Sequence, residues 1–306
     1  MEDSIRAVNR VDTGAVELCY ELDEGDGPVL VLVSGLGRSH VGWDPEFLDL
    51  LRAEGFRVLR FCNRDCGRST ILDDAPRFDL AAALRKDRSV VTYTLDDMAD
   101  DTAALLRALG IDSAHLVGTS MGGMIAQMVA VRHPSTVRSL CSIMSTTGAR
   151  HVGEPTPEAG ALLTTKAPED RDGFVAHELA NQKVIGSRGA LVDEQWRRRT
   201  FERVYDHGVH PRGTGRQLMA IVASGDRTAA LASITAPTVV IHGVVDTLVQ
   251  PSGGEATAAA IAGARLVTIA DMGHEMPPGV WPEVVALVVA NAREGDPALG
   301  GSKGRA

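Results

Sequence analysis

Short apolar runs alternate with amphipathic stretches along most of the chain. The runs Val29–Val33 and Thr238–His242 consist mainly of Val, Leu and Ile, as expected of strands that are buried on both faces. Apolar residues recur at helical spacing over Thr94–Leu109, and Gly110 then ends the predicted helix. This alternation predicts an α/β protein with a mostly parallel sheet that is flanked by helices.

The same pattern divides the chain. The predicted strands are Ala15–Leu22, Val29–Ser34, Arg57–Cys62, His115–Thr119, Val137–Met144, Thr238–His242 and Arg265–Ile269. The predicted helices between them are Pro45–Ala53, Thr94–Leu109, Met121–Arg132, Gly254–Ile261 and Pro282–Ala292. Between residues 146 and 233 the alternation gives way to helix-like segments alone, which are Arg171–Ile185, Asp193–Asp206 and Thr214–Ser224. We therefore predict a core of residues 1–145 and 234–293, with an inserted helical cap at 146–233 that covers the carboxyl ends of the strands.

Two further segments do not fit the alternation. Residues 75–91 contain the helix-like Phe78–Arg85, and we interpret them as a surface insertion, with an extra lid element as the alternative. Residues 294–306 are rich in Gly and charged residues and are predicted to be disordered.

Composition excludes several classes of function. The chain has 306 residues, of which 44% are hydrophobic, so it can bury a large core. A net charge of −9 argues against nucleic-acid binding, and the sequence has neither a membrane-spanning run nor a secretory signal. The few cysteines are expected to be reduced thiols in a cytoplasmic protein. Cys62 and Cys66 have a C-x3-C spacing, but no further ligand is close in sequence, so no metal site is predicted.

The strongest chemical signal is Gly118-Thr-Ser120-Met-Gly122, between a predicted strand and a predicted helix. This context is typical of a nucleophile elbow, in which a sharp turn presents a serine hydroxyl at the carboxyl edge of the sheet. The positions two before and two after the serine come close together, so both need glycine.

Ser120 requires a base, and the base requires an acid to orient it. His274 follows the last predicted strand and can reach over the sheet, whereas the rival His242 lies at the end of a strand and is expected to be structural. Asp246 follows the strand Thr238–His242 and gives the chain order Ser, Asp, His; Asp271 stays open as the alternative acid.

The oxyanion of an attacked carbonyl needs two backbone N–H donors. One is expected from Met121, the residue after the nucleophile. The other is expected from the glycine-rich loop after the strand Val29–Ser34, where we assign Leu36 and keep Gly37 as the neighbouring alternative.

Together these motifs resemble the α/β-hydrolase superfamily over about residues 15–293. Arg64-Asp-Cys-Gly-Arg-Ser69, Gly42-Trp43-Asp-Pro-Glu-Phe47 and the segment 264–274 are similar to an esterase branch that includes the aclacinomycin methylesterases. The resemblance carries the triad onto Ser120, Asp246 and His274, and the oxyanion donors onto Leu36 and Met121. It also suggests that Trp43 contacts substrate. The chain departs from many members in having Ser34-Gly35 where they have His-Gly, and its cap shares little with theirs.

The expected function is cleavage of a small-molecule carboxylic ester through an acyl-enzyme, with no cofactor. C–C bond hydrolysis, lactone opening and perhydrolysis are alternatives on the same triad, and a non-catalytic ligand receptor is an alternative from another class. A homo-oligomer is left open.

Overall fold

An eight-stranded sheet forms the centre of the molecule. The structure, a computed structural model, describes residues 9–75, 88–296 and 299. The strands are β1 (Asn9–Asp12), β2 (Glu17–Leu22), β3 (Val29–Val33), β4 (Arg57–Phe61), β5 (Ala114–Thr119), β6 (Val137–Ile143), β7 (Thr238–Gly243) and β8 (Arg265–Ile269). Their order is β1-β2-β4-β3-β5-β6-β7-β8. β1 and β2 pair antiparallel and β2 joins β4 antiparallel, while every pairing from β4 to β8 is parallel, which confirms the predicted mostly parallel sheet.

All seven predicted strands are present with small shifts at their ends, and β1 is the strand that the sequence did not reveal. Asn9-Arg-Val-Asp12 is short and largely exposed at the sheet edge. It therefore lacks the apolar alternation on which strand prediction depends.

Ten helices are described. They are α1 (Pro45–Ala53), α2 (Leu95–Ala108), α3 (Met121–Arg132), α4 (Pro157–Leu162), α5 (Arg171–Ile185), α6 (Glu194–His207), α7 (Pro211–Ser224), α8 (Thr228–Leu231), α9 (Ser252–Ala260) and α10 (Trp281–Gly295). Local chemistry fixes their first turns. At the start of α1, the Asp44 carboxylate accepts the N–H of Glu46, and Pro45 is the first helical residue. At the start of α2, Thr94 and Asp97 form a capping box.

Alternate residues of β3 show how the sheet is covered on both faces. Val29, Val31 and Val33 pack into a cluster with residues of α2 and α3. Leu30 and Leu32 face the other way, into a cluster with residues of α1 and α10. A strand buried on both faces has to be apolar at every position, which is what the β3 sequence shows.

The chain leaves the sheet after β6 and returns to it at β7. Between these strands lie helices α4 to α8, within residues 146–233, which we call the cap segment. Phe174, Val175, Phe201 and Val204 form a small apolar cluster of their own between α5 and α6. The sequence predicted α5, α6 and α7, but it missed the short helices α4 and α8.

The two irregular segments lie largely outside the described residues. Of the 75–91 insertion, residues 76–87 are not described, and these include the predicted helix Phe78–Arg85. The segment 294–306 begins in helical conformation, since α10 continues through Gly295. Residues 297–298 and 300–306 of this segment are not described. No described helix is long and apolar enough to cross a bilayer. A cytoplasmic location stays a prediction.

Candidate active site

Ser120 lies at the turn between β5 and α3. Its φ of 54° and ψ of −120° are a strained combination for a residue with a side chain. A Cβ on Gly118 would collide with the carbonyl of Gly122, and a Cβ on Gly122 would collide with the carbonyl of Val33. Gly118 is therefore required by close packing within the turn, and Gly122 by the close approach of the end of β3.

A hydrogen-bonded chain joins Ser120, His274 and Asp246. The Ser120 Oγ is 2.9 Å from Nε2 of His274, and Nδ1 of His274 is 2.7 Å from Oδ2 of Asp246. With Nδ1–H donating to the carboxylate, Nε2 is free to accept the serine proton. The structure thus brings Ser120 to His274, 154 positions away in the sequence, and His274 to Asp246, 28 positions away, each residue lying in a turn at a strand end.

Asp246 is buried yet strongly acidic. Burial alone would favour the neutral carboxyl group, but His274, His242 and the N–H of Val249 outweigh it and lower the pKa of Asp246 to about 2. Its other oxygen, Oδ1, accepts the N–H groups of Leu248 and Val249, each at 2.9 Å. The carboxylate is therefore ionised and fixed in orientation beside the imidazole.

The rival residues have other contacts. Nε2 of His242 donates to the carbonyl of Val249 at 2.8 Å, as expected of a structural histidine. Asp271 has an exposed side chain, and its carbonyl accepts the N–H of Arg188 at 2.8 Å. The structure thus places Asp246, and not Asp271, against Nδ1 of His274.

The loop after β3 faces Ser120. A Cβ on Gly35 would lie 3.3 Å from Cβ of Ser120, so the loop passes close to the nucleophile. The N–H of Gly37 donates to Oε1 of Gln217 at 2.8 Å and is therefore occupied. This leaves Leu36, with Met121 at the start of α3, as the candidate pair of oxyanion donors.

Gln217, on α7 of the cap segment, was not singled out by the sequence. Its side chain is fully buried, and its Nε2 donates to the carbonyl of Arg64 at 2.7 Å while its Oε1 holds Gly37. The Gln217 amide thus connects the loop after β3 to the loop after β4. No sequence signal could have found it, because its partners lie at least 150 residues away.

The Arg64-Asp65 pair of the resemblance motif is structural. Arg64 donates two hydrogen bonds to Asp101 on α2, and Arg216 on α7 donates two to Asp65. Asp65 also accepts the Tyr93 hydroxyl at 2.8 Å. Both ion pairs are buried, and they anchor the loop after β4 to α2 and to the cap segment.

The cap segment also contacts the loop that carries His274. The N–H of His274 donates to the carbonyl of Ile185 at 2.6 Å, and the N–H of Gly273 donates to Oγ of Ser187 at 3.1 Å. Next to His274, Glu275 forms a buried ion pair with Arg197 of α6. The position of the imidazole therefore depends on the end of α5 as well as on the sheet.

A cavity of about 810 Å³ lies between these loops and the cap segment, and both Ser120 and His274 open onto it. Trp43 lines it and donates its indole N–H to Oγ of Ser34 at 3.0 Å. The other large apolar residues in its wall include Phe47, Met124, Met144, Leu162, Phe174, Ile185, Trp196, Phe201, Leu218, Ile221 and Met276. Most of its exposed surface is apolar, as is common for small-molecule sites, and charged residues such as Arg38, Lys166 and Glu178 also line it.

Metal-ligand side chains do not cluster at this cavity among the described residues. The described residues that do form such a cluster are Cys19, His40, Cys62 and His207, and none of the four lines the cavity. The chemistry available at Ser120 is therefore that of a hydroxyl, an imidazole, a carboxylate and backbone N–H groups.

The fold has known counterparts. The α/β-hydrolase fold family matches residues 28–277, and the chain belongs to that family. It is an enzyme of the hydrolase class.

Individual relatives agree with the resemblance that the motifs indicated. The chain is 30% identical over 295 residues to the rhodomycin D methylesterase DauP of Streptomyces sp. strain C5, a match that covers 89% of this chain and 92% of that protein. It is 26% identical over 293 residues to the rhodomycin D methylesterase DnrP of Streptomyces peucetius, with the same coverage of 89% and 92%. Among solved structures, a hydrolase from Pseudomonas aeruginosa PA01 is 27% identical, with a TM-score of 0.69 over 94% of this chain and 99% of the other.

Proposed function

We propose that the protein hydrolyses a carboxylic ester of a bulky, largely apolar small molecule, with Ser120 as the nucleophile. The observation that carries this proposal is the hydrogen-bonded chain from Ser120 through His274 to Asp246, at the floor of an apolar cavity. The names of DauP and DnrP, both methylesterases, support an ester as the substrate class.

The contacts suggest how each group acts. His274 removes the Ser120 proton as the hydroxyl attacks the ester carbonyl, and it then protonates the leaving alcohol. Asp246 keeps the imidazole in the tautomer that has Nδ1–H and stabilises the imidazolium ion. The N–H groups of Leu36 and Met121 stabilise the oxyanion, and Trp43 in the wall contacts the substrate. A water molecule activated by His274 then hydrolyses the acyl-enzyme.

The size of the cavity supports a bulky substrate. About 810 Å³ is within the range of roughly 300–1,000 Å³ that small-molecule sites occupy. Burial of an apolar acyl or alcohol group against aromatic walls stabilises the complex by about 25 cal/mol for each Å² removed from water. Short esters such as acetates are therefore expected to be poor substrates.

The test combines turnover with covalent labelling. Ser120→Ala should lower kcat on p-nitrophenyl and methyl esters by about a thousandfold or more, and should abolish labelling by a fluorophosphonate. Ser139→Ala is the matched control, because Ser139 is also a buried serine bonded to a histidine, His115, at 2.9 Å, but it lies away from the cavity. Ester hydrolysis near the wild-type rate in pure Ser120→Ala would refute the assignment.

The same experiment separates the alternatives. A wild-type protein that is labelled at Ser120 but cleaves no ester in the panel would point to another reaction of the triad, such as lactone opening or C–C bond hydrolysis. A protein that is neither labelled nor active would favour a ligand receptor on this fold.

A further inference from the structure

Two cysteines and two histidines from four separate elements converge on the side of the sheet near β2. Cys19 lies in β2, Cys62 directly follows β4, His40 begins the 3₁₀ turn His40–Gly42, and His207 is the last residue of α6. The four ligand atoms lie within 4.8 Å of one another. This is the one group of its kind in the part of the chain that the structure describes.

The four sulfur–nitrogen distances are close to those of a tetrahedral zinc site. Sγ of Cys62 is 3.1 Å from Nδ1 of His40 and 3.6 Å from Nε2 of His207. Sγ of Cys19 is 3.9 Å from Nδ1 of His40 and 4.0 Å from Nε2 of His207. An ion that binds sulfur at about 2.3 Å and nitrogen at about 2.0 Å places its sulfur and nitrogen ligands about 3.5 Å apart. One ion at the centre therefore reaches all four atoms with small adjustments.

The surroundings of His40 are those of a metal-ligand histidine. Its Nε2 is 3.0 Å from Oε1 of Glu21, so that Nε2–H donates to the carboxylate and Nδ1 turns its lone pair toward the two sulfur atoms. Glu21 is in turn held by Arg60 at 2.6 Å. A carboxylate on the far nitrogen fixes the tautomer and raises the basicity of a ligating imidazole.

The site is also closed to solvent. The side chains of Cys19, His40 and Cys62 are buried, and His207 is partly buried. Gly67 has a φ of 54°, and a Cβ at this position would press on Sγ of Cys62 and on the ring of His207. The absence of a side chain at Gly67 lets the loop after β4 pass directly over the group.

We propose that Cys19, His40, Cys62 and His207 bind one structural zinc ion, which fixes the end of α6 to the edge of the core. Two thiolates and two imidazoles in a tetrahedron are a typical zinc ligand set, whereas calcium and magnesium require oxygen ligands. Four protein ligands leave no open position, so the ion is structural and not catalytic. This proposal is independent of the ester-hydrolase assignment.

The sequence predicted no metal here because the ligands are scattered over nearly 190 positions. Cys66, the partner of Cys62 in the C-x3-C spacing, is not one of the four. The ion would nevertheless help to position part of the cavity wall. Ser39 and Gly42 on either side of His40, and Tyr205 just before His207, belong to its wall.

The experiment measures metal directly on the full chain, produced without a polyhistidine tag. Protein dialysed against a weak chelator should retain about one zinc per chain by elemental mass spectrometry. Cys62→Ser and His207→Gln should lose it. Cys141→Ser is the matched control, because Cys141 is a buried free cysteine outside the group, and it should keep its zinc.

A second measurement covers the case in which a ligand variant does not fold. Wild-type protein stripped with a strong chelator should lose about 5 °C or more in Tm and regain it on addition of zinc. Cobalt added to the stripped protein should give the thiolate charge-transfer band and the intense visible bands of a tetrahedral site.

Three results would overturn the proposal. One is purified protein that contains no zinc and whose stripped form binds neither zinc nor cobalt. Another is zinc content that is equal in wild type, Cys62→Ser and His207→Gln. The third is a Cys19–Cys62 disulfide in freshly purified protein, which peptide mass spectrometry would reveal, because it would consume both sulfur ligands.

Discussion

Asp246 and Asp271 follow adjacent strands of the sheet, and the sequence favoured Asp246 as the acid, with Asp271 as the alternative. Their environments are opposite. Asp246 is buried, accepts two backbone N–H groups and lies 2.7 Å from Nδ1 of His274, whereas the Asp271 side chain is exposed. The low pKa of Asp246, about 2, keeps the carboxylate ionised at neutral pH.

Replacement of each aspartate by asparagine should separate the two. Asp246→Asn should lower kcat by about 10⁴-fold, because an amide in this position favours the wrong tautomer of His274. Asp271→Asn is a mild change by comparison, since asparagine also tolerates the φ of 58° at that position. Steady-state kinetics of both variants on one ester decide the matter. A larger loss of kcat at Asp271 would show that the hydrogen bond to Asp246 is not the functional one.

Single functional residues could be predicted where their structural requirements produce a local sequence motif. The strained turn at Ser120 requires glycines on both sides, and that requirement is visible as a motif. Gln217 and Arg216 leave no such trace, because a buried amide or guanidinium is recognisable only once its distant partners are known. The same holds for the four ligands of the proposed zinc site.

Helix α7 holds the loops after β3 and β4 in place through two neighbouring side chains. Arg216 pairs with Asp65, and Gln217 joins the N–H of Gly37 to the carbonyl of Arg64. The loop after β3 carries the candidate oxyanion donor Leu36. Its position relative to Ser120 is therefore set from the cap segment and not only from β3.

Gln217→Met should reduce activity without changing the reacting groups. Methionine has a similar size but cannot bond Gly37 or Arg64, so the loop is free to shift. A displacement of about 1 Å at the oxyanion donors can cost up to a hundredfold in rate. We expect kcat and the rate of fluorophosphonate labelling to fall together by about tenfold or more, with KM changing less.

Gln127→Met provides the control. Gln127 is also fully buried, and its Nε2 donates to Oγ of Ser142 in β6 at 3.1 Å, away from the cavity. Both variants should lose stability, whereas loss of labelling rate is expected of Gln217→Met alone. If Gln217→Met kept the wild-type kcat while its Tm fell, its role would be structural only.

The elements were predictable to different degrees for physical reasons. Strands buried on both faces, such as β3 and β7, have an apolar sequence that admits few other interpretations. The edge strand β1 and the short helices α4 and α8 bury few side chains, so their sequences have little periodicity. Their formation depends on contacts with the rest of the molecule.

At the scale of the whole molecule, the cap segment and the core share one site. The core supplies Ser120, Asp246, His274 and the loop after β3. The cap segment supplies most of the apolar cavity wall and also bonds the His274 loop at Ile185 and Ser187. Sequence alone predicted that a cap would be inserted here, but not which of its residues would line the cavity.

The large apolar residues of the cap segment differ in whether they line the cavity. Phe174, Trp196, Phe201 and Leu218 line the cavity, while Leu179 does not and packs against the small cluster between α5 and α6. Phe201 also lies under Arg38, whose guanidinium carbon is 5.1 Å from the ring centre. Substrate size should therefore be sensed by the first four and not by Leu179.

Alanine substitution of these residues tests the assignment on two esters that differ in size. Phe201→Ala and Leu218→Ala should change the ratio of kcat/KM between the bulky and the small ester by about tenfold, the scale of one or two buried methylene groups. Labelling by a small fluorophosphonate should change little, because its reaction needs only Ser120 and its immediate partners. Leu179→Ala loses a comparable apolar side chain outside the cavity, so it should lower stability and leave the ratio unchanged. If all three variants kept the wild-type ratio, the contacts that discriminate between esters would lie in the core and not in the cap segment. Trp43, in the loop after β3, would then be the first residue to test.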